Sequence, residues 1–217
     1  MRKTFCIESL VALFLISLCS FNIELKAQSV ELNKALDESF VLENGSLSVA
    51  LQRLARKYHL LIGFESLPPT ENQLKINVNI ERGRIRDALD AIVATDPRYE
   101  LTISQGAIEI SPRSQRDLLM RVEFSRFRVD QVNRNEAIDA LMNSPEVQAV
   151  LKNAGLRRRE IMSLPGDATD NLPRFSLDLR QTTAREILNE IAIESRSAFW
   201  VFSRYGQHNE YVSIKMS

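Results

Sequence analysis

The burial pattern of residues 76–103 is written a second time 99 positions later, which points to a fold built from two like units. Phe175, Leu177 and Leu179 fall on Ile76, Val78 and Ile80. Ala184, Ile187, Leu188, Ile191 and Ala192 fall on Ile85, Ala88, Leu89, Ile92 and Val93. Trp200 and Phe202 fall on Leu101 and Ile103. Few residues are identical (Arg86/Arg185, Leu89/Leu188, Ile92/Ile191), so what repeats is the choice of which positions are apolar. Chance likeness of two small α+β patterns is the competing reading.

Each copy alternates two periods. Leu47, Ala50, Leu51, Leu54, Ala55 and Tyr58 share one face at helical spacing, with Arg53, Arg56 and Lys57 opposite. A strand around Ser39 to Leu42 and a turn at Asn44-Gly45-Ser46 precede this helix. Leu60, Leu61, Ile62 and Phe64 form a compact apolar run, read as a buried strand that Pro68-Pro69 stops. Ile76, Val78 and Ile80 alternate with polar residues, as in a strand with one wet face. A helix opened by Gly83 and ended by Asp96-Pro97 follows, then a hairpin across Gln105-Gly106. Residues 39–112 therefore read β-α-β-β-α-β-β, and Pro112 to Arg116 reads as a polar boundary.

In residues 118–217, Phe124 to Val132 reads as a strand and Asn135 to Met142 as a helix. Pro145 suits the first turn of another short helix, and Thr183 with Glu186 forms a capping box. The hairpin after Trp200 runs through Gly206 to Val212, Ile214 and Met216. The expected class is α+β: two small related modules with helices packed on small sheets.

The first 27 residues carry an address instead of a fold. Arg2 and Lys3 precede the apolar run Leu10 to Leu18, which is about half the ~20 residues a membrane span needs. Ala27 offers a small residue for cleavage before Gln28, so residues 1–27 read as a secretory signal peptide. The alternatives are an uncleaved membrane anchor, disfavoured by the short run and by Glu24 and Lys26 close behind it, and lipidation at Cys19, disfavoured by Leu18 before it. Both cysteines lie in this segment, so the mature chain is expected to have no disulfide, thiolate nucleophile or Cys metal site. Removing Arg2, Lys3 and Lys26 from 28 basic residues, and Glu8 and Glu24 from 28 acidic ones, leaves 25 against 26. That balance argues against nucleic acid as a partner. The mature product is expected to have no transmembrane segment and to be soluble or peripherally held at the outer membrane. Residues 28–38 read as a flexible lead-in.

The stretches FVLENGSLSVALQRLARKYHLLIGFES and LKINVNIERGRIRDALDAIVATDPRYELTISQGAIEIS resemble the secretin and TonB short N-terminal domain. The matching positions are Leu47, Ala50-Leu51, Leu54-Ala55, Ile62-Gly63-Phe64, Ile76-Val78-Ile80, Ala88-Leu89, Ile92, Leu101 and Ile108-Ile110. The resemblance covers residues 39–111, and the second half shares only its C-terminal αββ part. It implies a periplasmic domain that acts by contacting envelope proteins: a secretin, a receptor or a regulator. No barrel or secretin module is recognisable after it, so pore formation and receptor activity are not implied.

Chemistry is hard to find in the chain. His59 and His208 lack the spacing of a zinc helix and read as helix-end and turn residues. No dinucleotide fingerprint, P-loop or nucleophile elbow is present. No catalytic residue, cofactor or metal is expected. The acidic stretch Gly166 to Asn171 offers oxygens to Ca²⁺ without EF-hand spacing, and a solvated loop is its plainer reading. Arg157-Arg158-Arg159 suits phosphate or anionic lipid, and more plainly a solvated helix end. Asn44-Gly45-Ser46 fits an N-glycosylation acceptor, which matters only in a eukaryotic source.

Phe199-Trp200-Val201-Phe202 puts aromatics on both faces of a strand. On a central strand they are core; on an open edge they bind a partner. Phe199, Trp200, Phe202 and Tyr205 are therefore the candidate partner-binding residues. The expected function is a non-enzymatic interaction module, working by strand addition or aromatic docking. The alternative is a secreted enzyme or small-ligand binder with a site between the modules.

Overall fold

A computed structural model describes residues 32–68, 75–104, 106–114, 117–158, 172–205, 208 and 210–217. The first half runs β1 (Phe40–Gly45), α1 (Leu47–Tyr58), β2 (Ile62–Ser66), β3 (Ile76–Ile80), α2 (Ile85–Ala94), β4 (Tyr99–Ser104) and β5 (Ala107–Pro112). After a 3-10 turn at Leu119–Arg121 the second half runs β6 (Glu123–Val132), α3 (Arg134–Met142), α4 (Pro145–Asn153) and β7 (Arg157–Arg158). It ends with β8 (Phe175–Thr183), α5 (Ala184–Glu194), β9 (Phe199–Tyr205) and β10 (Tyr211–Met216). The protein is α+β, and its second half repeats the order of the first with one added helix.

Pairing repeats as well as order. β1 pairs antiparallel with β3, and β6 with β8. The β4–β5 hairpin carries β2 parallel to β5, and the β9–β10 hairpin carries β7 parallel to β10. The two three-stranded sets do not remain separate sheets. β2 pairs in parallel with β9, giving one six-stranded sheet in the order β4-β5-β2-β9-β10-β7.

Adjacent residues of a strand point to opposite faces, and the two cores follow this rule. Ile62, Phe64, Ile108, Ile110 and Phe199 join the core under α1 and α2. Trp200, Phe202, Val212 and Ile214 join the core under α3 and α5 on the other face. The sheet is therefore covered on both sides, one half of the chain supplying each cover. Each large side chain fully buried this way contributes about 1.5–3 kcal/mol.

Local chemistry sets the element ends. The six apolar residues of α1 are its buried ones, and the Ser46 hydroxyl accepts the Val49 N–H at its start. His59 closes α1 in the left-handed region at φ 53°. At α5, Thr183 accepts the Glu186 N–H while Glu186 accepts the Thr183 N–H at 2.7 Å, and Asn133 with Glu136 does the same at α3. Such caps satisfy orphan donors of the first turn and contribute about 1 kcal/mol each.

Three expectations are corrected. Residues 32–38 are docked: Leu32 is buried, the Leu36 N–H donates to the Gly83 carbonyl at 2.9 Å, and the Ile85 N–H donates to the Lys34 carbonyl at 3.0 Å. Backbone pairing and the Leu32 and Leu36 side chains hold this segment, but two apolar residues in a polar stretch set no period that signals order. The boundary at Pro112 to Arg116 begins inside β5, where Pro112 is buried strand. Arg157 and Arg158 do not end a helix: they form β7, and Arg158 pairs with Asp139. Arg159, the stretch Gly166 to Asn171 and residues 1–31, with the cleavage site Ala27/Gln28 and Cys19, lie outside the described residues.

After α2 the chain is turned by Asp96, whose carboxylate accepts from the Arg98 guanidinium at 2.6 and 2.8 Å and from the Arg98 N–H at 3.1 Å. These bonds hold the Asp96 carboxyl below its ordinary value. A depressed carboxyl pKa stabilises fully above the unfolded value, near 4, and the contribution is lost as pH falls through the lower folded value. Asp96→Asn is therefore expected to lower stability at pH 7 and to flatten the fall in stability below about pH 4. Urea midpoints from pH 2 to 7 check this, and parallel wild-type and variant curves would contradict it.

Candidate functional site

The joint between β2 and β9 is the most specifically built place in the molecule. Ile62 pairs with Phe199, Gly63 with Trp200, Phe64 with Val201 and Glu65 with Phe202. Trp200 is fully buried and its indole N–H donates to the Asn189 carbonyl oxygen at 2.8 Å. The ring lies directly over Gly63, where an added Cβ would stand 2.3 Å from Trp200 Cζ2. Only glycine at 63 lets the indole lie flat over the joint.

Charge crosses the same joint. Arg185, in the first turn of α5, forms ion pairs with Glu65 of β2 and with Glu109 of β5, the latter at 3.2 Å. All three residues are buried. Glu65 also accepts the Asp117 N–H at 3.0 Å, and Asp117 accepts from Arg204 of β9 at 2.6 Å. Burial pulls the Arg185 guanidinium down to about 10. That is still far above neutral pH, so the group is cationic and the carboxylates are its counter-charges. Such a network favours one register over others, because any slip leaves a charge buried and unpaired.

The aromatic candidates are placed by this architecture, and three of them are corrected as surface residues. β9 is a central strand, so Phe199 faces one core while Trp200 and Phe202 face the other, each at most 2% exposed. They join the two halves and are not open to a partner. Tyr205 is half-buried and stacks on Tyr211, with ring centroids 5.7 Å apart.

One open edge lies at the β4 end of the six-stranded sheet. β4 pairs with β5 on one side, and among the described residues no strand pairs with its outer side. Ile103 on this edge strand is 42% exposed. An edge strand presents unpaired backbone donors and acceptors, ready for an added strand. The burial pattern that repeats at 99 positions makes β4 the counterpart of β9, the strand whose corresponding edge is already filled by β2.

The histidines gather no chemistry. His59 is an exposed helix cap, and the His208 N–H donates to Glu210 at 2.9 Å. Among the described residues, no group of three or more His, Cys, Asp or Glu is placed to hold a metal ion. No helix of these residues is long and apolar enough to cross a membrane.

Reading the residues in order misses Glu65, Glu109, Arg185 and the β4 edge. A signal existed for the first three. Glu65 and Glu109 interrupt otherwise apolar strands, and Arg185 is one of the few identities between the copies. No family model, curated protein or solved structure matches the chain.

Proposed function

We propose that this chain is a non-enzymatic periplasmic protein–protein interaction module of the outer-membrane, secretion or signalling machinery, resembling the secretin and TonB short N-terminal domain. It is exported by its N-terminal segment and meets an envelope protein, a secretin, receptor or regulator. It acts by strand addition at β4. The observation that supports this reading is the outer side of β4, unpaired among the described residues, in a sheet whose β9 has the corresponding edge filled by β2. Aromatic docking through Trp200 is set aside because that ring is core. The enzyme or ligand-binder alternative gains nothing from the joint, where paired strands and the Trp200 ring occupy the boundary between the halves.

Placing a photo-crosslinking residue at Ile103 tests the reading in intact cells. The expected result is a discrete adduct with one envelope protein, absent when the same residue is placed at Glu123, an exposed position of β6. No adduct at Ile103, or the same adducts at both positions, would remove the proposal.

A further inference from the structure

We infer that the β4 edge and Arg86 of α2 together receive a parallel, acidic strand: an extended partner segment with apolar residues on one face and a carboxylate reaching Arg86. This deepens the strand-addition reading and rests on it. The warrant is that the molecule already contains one filled copy of the site. β9 is the counterpart of β4, α5 of α2 and Arg185 of Arg86. In the filled copy β2 lies parallel to β9, Gly63 sits beside Trp200, and Glu65, two residues on, pairs with Arg185. The same arrangement at β4 sets an incoming residue beside Leu101 and a carboxylate beside Ile103, on the face that α2 covers.

The counterparts differ in the way a filled and an unfilled site should. Phe202 is 1% exposed in the filled copy and its counterpart Ile103 is 42% exposed. Arg185 is buried against Glu65 and Glu109, whereas Arg86 is partly exposed and pairs at 2.9 Å along its own helix, with Asp90. Asn189 is buried and holds Trp200, whereas its counterpart Asp90 is exposed. The Leu101 and Ile103 side chains lie on the face of Ile110 and Ile108, their partners in β5, which is the face of the α1–α2 core. A docked strand would cover Ile103 and exchange the solvated Arg86–Asp90 pair for one shielded by the added strand.

The same comparison disfavours a second copy of this chain as the occupant. The element of a second copy that corresponds to β2 is β7, which carries Arg157 and Arg158. Its two residues, Arg157 and Arg158, are both cationic, so β7 does not supply the carboxylate that pairs with the helix arginine in the filled copy. The occupant is therefore a separate protein whose docking segment is acidic.

The probe is a fluorescein-labelled peptide of this chain's own β2 segment, Leu60–Pro68, titrated against the full mature protein by anisotropy. Saturable binding is expected, with β4 amides gaining protection from hydrogen exchange. Arg86→Glu is expected to weaken binding about fivefold or more, and a peptide carrying Glu65→Lys to restore most of the loss. Ile103→Lys should weaken both peptides. Arg86 and Ile103 are exposed enough for the variants to fold, which circular dichroism verifies.

Absence of binding up to millimolar peptide would overturn the inference, as would binding that Arg86→Glu and Ile103→Lys leave unchanged. Either result, together with an adduct at Ile103 in cells, would leave strand addition standing and remove only the acidic parallel occupant.

Discussion

Replacing Arg185 with methionine is expected to lower stability by about 3–5 kcal/mol, because it leaves two carboxylates buried with no cation between them. The side chains of Glu65 and Glu109 are 2% and 5% exposed, and both form ion pairs with this guanidinium. Arg185 keeps its proton at neutral pH, since burial lowers its pKa only to about 10, so the whole effect is present at pH 7. The sign of its pH dependence follows from that lowered value. Between about 10 and its higher ordinary value the unfolded chain holds more protons than the folded one, so this group makes stability rise with pH across that window. At neutral pH both states hold the proton and the group gives stability no slope.

The network need not add net stability for its rupture to be costly. Desolvating three charges offsets much of their attraction, so converting Arg185, Glu65 and Glu109 together to methionine and leucines is expected to recover most of the loss. Urea unfolding of the single and triple variants at pH 7 measures both numbers, given unchanged slopes. A loss below about 1 kcal/mol for Arg185→Met would mean that water reaches the carboxylates, and the charged joint would not exist as described.

This network also shows which parts of the fold a sequence reveals. The buried face of α1 was legible residue by residue, because Leu47 to Tyr58 obey one local period. The strands β3 and β8 were legible for the same reason, as was the capping box at Thr183 and Glu186. Strand pairing between halves was not legible. Ile62 and Phe199 are 137 positions apart in the chain, and period-two burial looks the same whether a neighbouring strand comes from the same unit or another. The run Phe199 to Phe202 had two readings for this reason, and its central place in the sheet decides for core. Residues 32–38 failed differently, since Leu32 and Leu36 are too few apolar positions to show a period, and main-chain hydrogen bonds leave no mark on side-chain composition. The edge site at β4 is visible only by comparing two copies in three dimensions, where Ile103 and Phe202 share a position and differ in exposure.

Gly63→Val is expected to destabilise the protein by about 3 kcal/mol, at the upper end of ordinary overpacking. The backbone is not the obstacle, because extended β2 tolerates a β-branched residue. The obstacle is the indole: a Cβ at 63 would lie 2.3 Å from Cζ2, 2.6 Å from Cε2 and 3.0 Å from Nε1 of Trp200. The ring cannot yield cheaply, since it is fully enclosed and held at 2.8 Å by Asn189. Tilting it would break that hydrogen bond and leave the Asn189 amide buried without its partner. Trp200→Leu creates the space that the larger side chain of Gly63→Val needs, while itself leaving a void costing several kcal/mol. The double variant should therefore lose less than the sum of the singles by about 1–3 kcal/mol. Circular dichroism in urea gives the four stabilities, and the chain's one tryptophan reports separately on the Gly63→Val protein through its emission maximum. Strict additivity would mean that residue 63 does not face the indole, and with it would go the parallel pairing of β2 on β9 that serves as the template for β4.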